Sequence, residues 1–247
     1  MKKTGGKLKF LGSVFAMMIW VFSAVVVSQL VVGYLMLWIL GKEGFSTTVA
    51  TAIYSALSYV VALLLIILVP IKLFKKWKTD RVELGLNETP TWTDIGLALV
   101  GFVVATFFAA LLVNLFSMIP GFDADQVQNT GFSVYMSSWE RIVAFFTLVV
   151  IAPIAEEIIF RGWLYGKLRE KFTGRMSEKV GILVSILLVS ALFGLVHFQW
   201  NVAVNVFALS VVLCGLREIT GTIYASILTH MIKNGVAFYL VYVLGIA

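Results

Sequence analysis

The sequence predicts an all-α fold, a polytopic transmembrane helical bundle of about seven to eight spans. Three observations carry that prediction. The 247 residues are 60% hydrophobic and only 13% charged, with a mean hydropathy of +0.98, whereas soluble domains are roughly 45–50% apolar. Apolar runs near the ~20 residues needed to cross a hydrocarbon core recur along the whole chain. None of these runs shows the alternation of a membrane barrel, so each must satisfy its backbone polar groups internally, as a helix.

In chain order the spans are Phe10–Leu40, Thr47–Leu73, Ile95–Ile119, Ile142–Trp163, Val180–Phe198, Val202–Leu216 and Ile219–Ala247. The first is long enough for one tilted helix or for a helix with a re-entrant piece, and the sixth is short for a full crossing. The basic start Met1–Lys9 precedes an apolar stretch far longer than a signal-peptide core and without a clear cleavage site, so it reads as an uncleaved first span. Lys2, Lys3, Lys7 and Lys9 precede that span; Lys72, Lys75, Lys76, Lys78 and Arg81 follow the second. The loop Pro120–Ser138 holds Asp123 and Asp125 and no basic residue, whereas Lys167–Lys179 is rich in Lys and Arg. By the positive-inside rule the amino terminus is cytoplasmic, in a multi-pass plasma-membrane protein. The net charge of +6 therefore reflects topology and anionic lipid, and no nucleic-acid partner is expected. Cys214, the single cysteine, is expected to serve packing.

The longest polar interval, Lys75–Asp94, contains the turn-forming Gly85, Asn87 and Pro90. Its segment Trp77–Leu86 mixes charged and apolar residues and is expected along the membrane surface. The interval divides two leading helices and their linker, residues 1–92, from a helical core at 93–247 that holds every chemically suggestive residue. Within that core Pro153 removes a helical hydrogen bond and should bend the fourth span.

The polar residues in these apolar segments are the functional candidates. A charge at mid-bilayer costs about 2.5–3.5 kcal/mol on the translocon scale. Glu157 and Arg161 are four apart, the acid on the amino-terminal side, and should pair. Glu156 is rotated about 100° from Glu157 and must be satisfied from elsewhere, which makes it the candidate reactive group. Phe193 lies one turn before His197 and can pack beside its imidazole. His230 and Asn234 share one face of the last apolar helix, a placement that implies a shared partner or a shared water. Lys233 beside them is an unpaired cation, a candidate to receive a substrate carboxylate or to balance Glu156.

Glu156-Glu157 with Arg161, then Phe193 with His197, then His230 with Asn234, resembles the three-motif signature of the CPBP (CAAX protease and bacteriocin-processing, or Abi) intramembrane proteases, relatives of the prenyl-protein endopeptidase. The resemblance covers roughly Thr93–Ala247. It implies a helical bundle around an intramembrane catalytic cavity, and an intramembrane endopeptidase acting on a membrane-associated or hydrophobic peptide. By the same resemblance Glu156 and His197 activate water, His230 and Asn234 stabilise the oxyanion, and Glu157, Arg161 and Phe193 give structural support. No cofactor is expected. Zinc is the rival, because one carboxylate and two histidines form a known catalytic ligand set, yet the compact His-Glu-x-x-His helix is missing.

Two other function classes compete. One is a non-catalytic bacteriocin-immunity or scaffold protein of the same fold; the other is a transporter, disfavoured by the lack of inverted repeats. A peptide precursor in a bacterial membrane is the preferred substrate class. The sequence leaves the oligomeric state open. It also leaves a conflict of depth: a helix starting near Val180 puts His197 about 25 Å along it, while Glu156 looks deeper, so tilt, a broken helix or wrong boundaries must reconcile them.

Overall fold

The computed structural model describes residues 2–45, 47–72 and 75–246. The expected boundaries Leu73 and Ala247, and the side chains of Lys2, Lys3 and Lys7, lie outside the described residues. Seven helical rods make up the described chain: α1 (Lys2–Phe45), α2 (Thr48–Lys72), α3 (Trp92–Phe116), α4 (Ser138–Thr173), α5 (Glu178–Leu195), α6 (Trp200–Thr220) and α7 (Tyr224–Phe238, running on into a π turn at Tyr239–Val243). Among the described residues the first six are long and apolar enough to cross a membrane. The chain is a multi-pass membrane protein. The expected seventh span corresponds to α7, whose apolar character is diluted by His230, Lys233 and Asn234. The first span is one helix that breaks only near its end, at Gly41 (φ +68°).

Local signals set the helix boundaries. Thr91 and Asp94 form a capping box at the start of α3, and Ser137 and Glu140 form one at the start of α4, each pair satisfying otherwise orphaned backbone donors. Gly221, with φ +72°, terminates α6 in the left-handed conformation that glycine adopts without penalty.

The helices pack in a chain of neighbours: α1 on α2, α2 on α4, the end of α4 on α5, α5 on α6, and α6 and α7 on α3, with α7 also against α4. One apolar core joins Val14, Met17 and Val21 of α1 and Ile66 of α2 to Trp163 and Leu164 of α4 and Val189 of α5. The leading helices thus share a core with the later ones. Gly101 marks the closest approach of α3: a Cβ there would stand 2.8 Å from Leu216 Cδ1 and 2.9 Å from Thr229 Oγ1. Thr229 also donates across this contact to the Ala98 carbonyl.

The linker after α2 does not lie free along a surface. The Trp77 ring stands 6.4 Å from Trp20 and 5.7 Å from Trp163. Lys167 Nζ donates to Glu83 Oε2 at 2.7 Å, Arg217 Nη2 to the Glu83 carbonyl at 3.1 Å, and Ile223 N–H to the Gly85 carbonyl at 3.2 Å. The turns at 81–86 are thereby tied through the Glu83 side chain to the basic end of α4 and through two backbone carbonyls to the end of α6 and the start of α7.

At the opposite face the long loop 117–137 folds back onto the bundle. Asn201 accepts from Asp123 N–H and donates to Gln126, Gln199 accepts from Asn129 N–H, and the Thr130 and Tyr242 hydroxyls meet at 2.5 Å. This loop roofs the cavity described next.

Candidate functional site

The site is organised by α4, which is not a uniform α-helix. A π segment at Phe146–Ile151 leads into a short α stretch, Ala152–Glu157, and a second π segment follows at Ile158–Leu164. Such segments inside α-helices are frequent at functional sites. Pro153 accounts for the first. Ala152 N–H bonds the Thr147 carbonyl, five residues back; the next donor in that register would be Pro153, which has no N–H. The Leu148 carbonyl is thus left without a helical donor, and Asn234 Nδ2 of α7 donates to it at 3.0 Å. The expected bend at Pro153 takes this form: a change of helical register, repaired across helices.

The register sends the two acids to different neighbours. Glu157 and Arg161 are both fully buried and pair at 3.0 Å, as their spacing predicts. Glu157 Oε1 also lies 2.9 Å from His230 Nδ1. The Arg161 guanidinium stacks over the Phe193 ring, 4.4 Å from its centroid. Glu156 turns toward α2, where the Tyr59 hydroxyl donates to its Oε1 at 2.5 Å. Its Oε2 lies 3.7 Å from His230 Nε2. His230 and Asn234, expected to share a partner or a water, make separate side-chain contacts within the chain: the histidine reaches Glu157 while the amide reaches back to the π segment.

The α5 helix ends at Leu195, so His197 sits beyond it, in the turn to α6. Phe198 follows with φ +54°, an uncommon conformation for a bulky residue, and the chain reverses there. The imidazole packs edge-on to Phe193 at 5.1 Å, and Nδ1 bonds the Phe193 carbonyl at 2.7 Å. A carbonyl only accepts, so Nδ1 carries the proton and Nε2 is left to the cavity. Phe193 also packs 5.9 Å from His230, so one ring braces both histidines and the arginine.

The conflict of depth resolves through the boundaries. The fourth span runs from Ser138 to Thr173 rather than from Ile142 to Trp163. From its basic end at Thr173, Glu156 is about 26 Å along the axis; from Glu178, the end of α5 at Leu195 is also about 26 Å along, with His197 in the turn just beyond. The two residues reach the same level, in the half of the bundle away from the basic face.

Two chambers meet there. The first, of about 270 Å³, is lined by Glu156, His197, His230, Lys233 and Asn234, with Phe193 beside them, which brings six of the candidate residues to one space. The second, of about 300 Å³, lies toward α1 and α2. Tyr59, Gln128, Thr130, Glu156, Phe193 and His197 line both. Lys233 Nζ has no carboxylate within 4.0 Å among the described residues. Sequence reasoning missed Tyr59, although the adjacent polar residues Ser58 and Tyr59 inside an apolar run were a signal that something there needed a partner.

A metal was tested against the donors. His230 Nδ1 on a carboxylate and His197 Nδ1 on a carbonyl match the outer contacts of metal-binding histidines. Yet among the described residues no three His, Cys, Asp or Glu side chains converge closely enough to hold an ion. This donor arrangement does not fit the Glu-His-His zinc site.

Residues 138–236, from the start of α4 into α7, match the family described as Type II CAAX prenyl endopeptidase Rce1-like. The chain is also similar to the membrane-embedded CAAX protease MroQ of Staphylococcus aureus (strain USA300), with 23% identity over 193 residues, covering 78% of this chain and 75% of that protein. No solved structure matches significantly.

Proposed function

We propose, from the match of residues 138–236 to the Type II CAAX prenyl endopeptidase Rce1-like family and the similarity to a bacterial CAAX protease, that this chain is a CPBP-type intramembrane endopeptidase hydrolysing a peptide bond in a hydrophobic or membrane-associated precursor. The observation that carries the reading is the placement of Glu156: one carboxylate oxygen held by Tyr59, the other facing a chamber that also receives two histidines, an amide and Lys233.

In this reading Glu156 Oε2 takes a proton from water, and the lone pair of His197 Nε2 accepts from the same water and orients it. The oxygen attacks the scissile carbonyl, and the proton held by Glu156 passes to the departing amine. Asn234 has a second Nδ2–H beyond the one spent on Leu148, and directs it at the developing oxyanion. His230 is the second group assigned to the oxyanion, with Nδ1 held at Glu157 and Nε2 toward the chamber. One oxyanion donor is worth about 2.7–4 kcal/mol in other enzymes.

No metal takes part in this scheme. Lys233 is assigned to a substrate carboxylate, since no carboxylate among the described residues lies within 4.0 Å of its Nζ and Glu156 acts on it only from farther across the chamber. The similarity to a bacterial protein favours a bacterial membrane, and the basic faces of the sequence place the amino terminus in the cytoplasm. The test is cleavage of a membrane-peptide library by the purified protein in vesicles, with Glu156→Gln and a zinc chelator in parallel. Loss of cleavage in the variant and retention with chelator is expected. Cleavage by Glu156→Gln at the wild-type rate overturns the assignment of the base, and protection against a bacteriocin without any cleavage supports the immunity reading instead.

A further inference from the structure

About half of the residues lining the second chamber come from parts of the chain outside the family match. Ser28 and Gln29 of α1 and Tyr54, Ser55 and Tyr59 of α2 line one side of it, and Gln128 of the roofing loop lines another. Its volume, about 300 Å³, is the share of roughly ten waters in the liquid. Glu156 is the only Asp, Glu, Lys or Arg among its lining residues. The amides of Gln29 and Gln128 have no hydrogen-bond partner among the described residues. Gln29 stands within the apolar part of a 34-residue span, where a polar side chain faces a partner or a water-filled space rather than lipid.

A peptide bond can be attacked only where the substrate is unwound, and an unwound backbone in the membrane has lost its internal hydrogen bonds. Amides and hydroxyls both donate and accept, so they can pair with such a backbone whatever its side chains. A charged side chain entering the same space would find no counter-charge apart from the reactive Glu156. The first chamber differs, because it carries Lys233.

We propose that the chamber between α1, α2 and the loop is a binding subsite for the extended, uncharged stretch of peptide on one side of the scissile bond, the other side lying in the chamber of Lys233. The subsite rests on the endopeptidase reading above. It makes α1 and α2 part of substrate recognition, with Gln29 its most diagnostic side chain.

The test uses the full-length protein in phosphatidylglycerol-containing vesicles and a synthetic membrane-peptide library. A peptide cleaved by the wild type is resynthesised with Lys at each position flanking the cleaved bond. Lys on one side is expected to lower kcat/KM about tenfold or more, and Gln29→Glu to raise the ratio of Lys-peptide to parent-peptide cleavage at least about threefold on that side alone. If Gln29→Glu does not insert, Gln29→Leu decides: KM for the parent rises about fivefold with kcat unchanged. Indifference of the wild type to Lys on both sides, a Gln29→Glu effect equal on both sides, or an unchanged KM in Gln29→Leu overturns the subsite while leaving the endopeptidase standing. Failure of the wild type to cleave any peptide overturns the endopeptidase reading and the subsite with it.

Discussion

Replacing Arg161 by Met should be among the most damaging single changes in this protein. Both Arg161 and Glu157 are fully buried, 3.0 Å apart, so the variant leaves a carboxylate in the interior with only His230 beside it. Removing one partner of a buried pair costs about 3–5 kcal/mol. The stacking of the guanidinium on Phe193 at 4.4 Å is lost as well, about 0.5–2 kcal/mol more. Against a total stability of about 5–15 kcal/mol, that is a large fraction. Glu157 Oε2 and Arg161 Nε and Nη2 have no hydrogen-bond partner among the described residues, so the pair is imperfectly satisfied and its joint replacement is far cheaper. The double variant Glu157→Gln/Arg161→Met, in which the amide oxygen still accepts from His230, should recover at least half of the loss. Unfolding in mixed dodecylmaltoside–SDS micelles, followed by tryptophan fluorescence, measures both. An Arg161→Met cost below about 1 kcal/mol, or a double variant no better than the single one, would refute the account of a desolvated pair.

Pro153→Ala supplies the missing N–H to the Leu148 carbonyl and competes with Asn234 for it; stability should stay within about 1 kcal/mol, while cleavage in vesicles falls about tenfold or more through the altered register of Glu156. Tyr59→Phe removes the hydrogen bond to Glu156 Oε1 and should lower kcat by about tenfold with little change in KM, measured by steady-state kinetics on a cleaved peptide. Gly85→Ala combines a φ of +69° with a Cβ 2.8 Å from the Arg217 guanidinium carbon, and a loss of about 1–2 kcal/mol is expected in the same unfolding assay. Lys233→Met should weaken cleavage only of peptides that carry a carboxylate near the cleaved bond; equal rates for acidic and amidated peptides in wild type and variant would remove the lysine from recognition.

The parts of the site legible in the sequence are those encoded by local spacing. Four residues on one helix bring Glu157 to Arg161, the same spacing across the end of α5 brings Phe193 to His197, and a rotation of about 100° sends Glu156 elsewhere. What lay elsewhere was not legible. Tyr59 meets Glu156 across 97 positions of chain, and no periodicity connects them. The π segments of α4 were equally hidden, because one extra residue per turn leaves an almost uniformly apolar run looking the same. The boundaries of that helix misled for a related reason: its last two turns carry Lys167, Arg169 and Glu170, which look like a loop and are a helix leaving the membrane. The all-helical membrane class was legible because it depends on composition and run length, which lipid constrains more tightly than any single contact.

The repair of α4 by α7 has a consequence for how the protein comes into being. His230 and Asn234 lie on the last helix of the described chain and hold Glu157 and the Leu148 carbonyl on a helix made much earlier. During synthesis the earlier helices enter the bilayer with a broken register, an uncapped carbonyl and an incomplete charge cluster. On the proposed reading, hydrolytic competence then arrives only when α7 docks, and a chain lacking that helix should be inert toward neighbouring proteins in the same membrane.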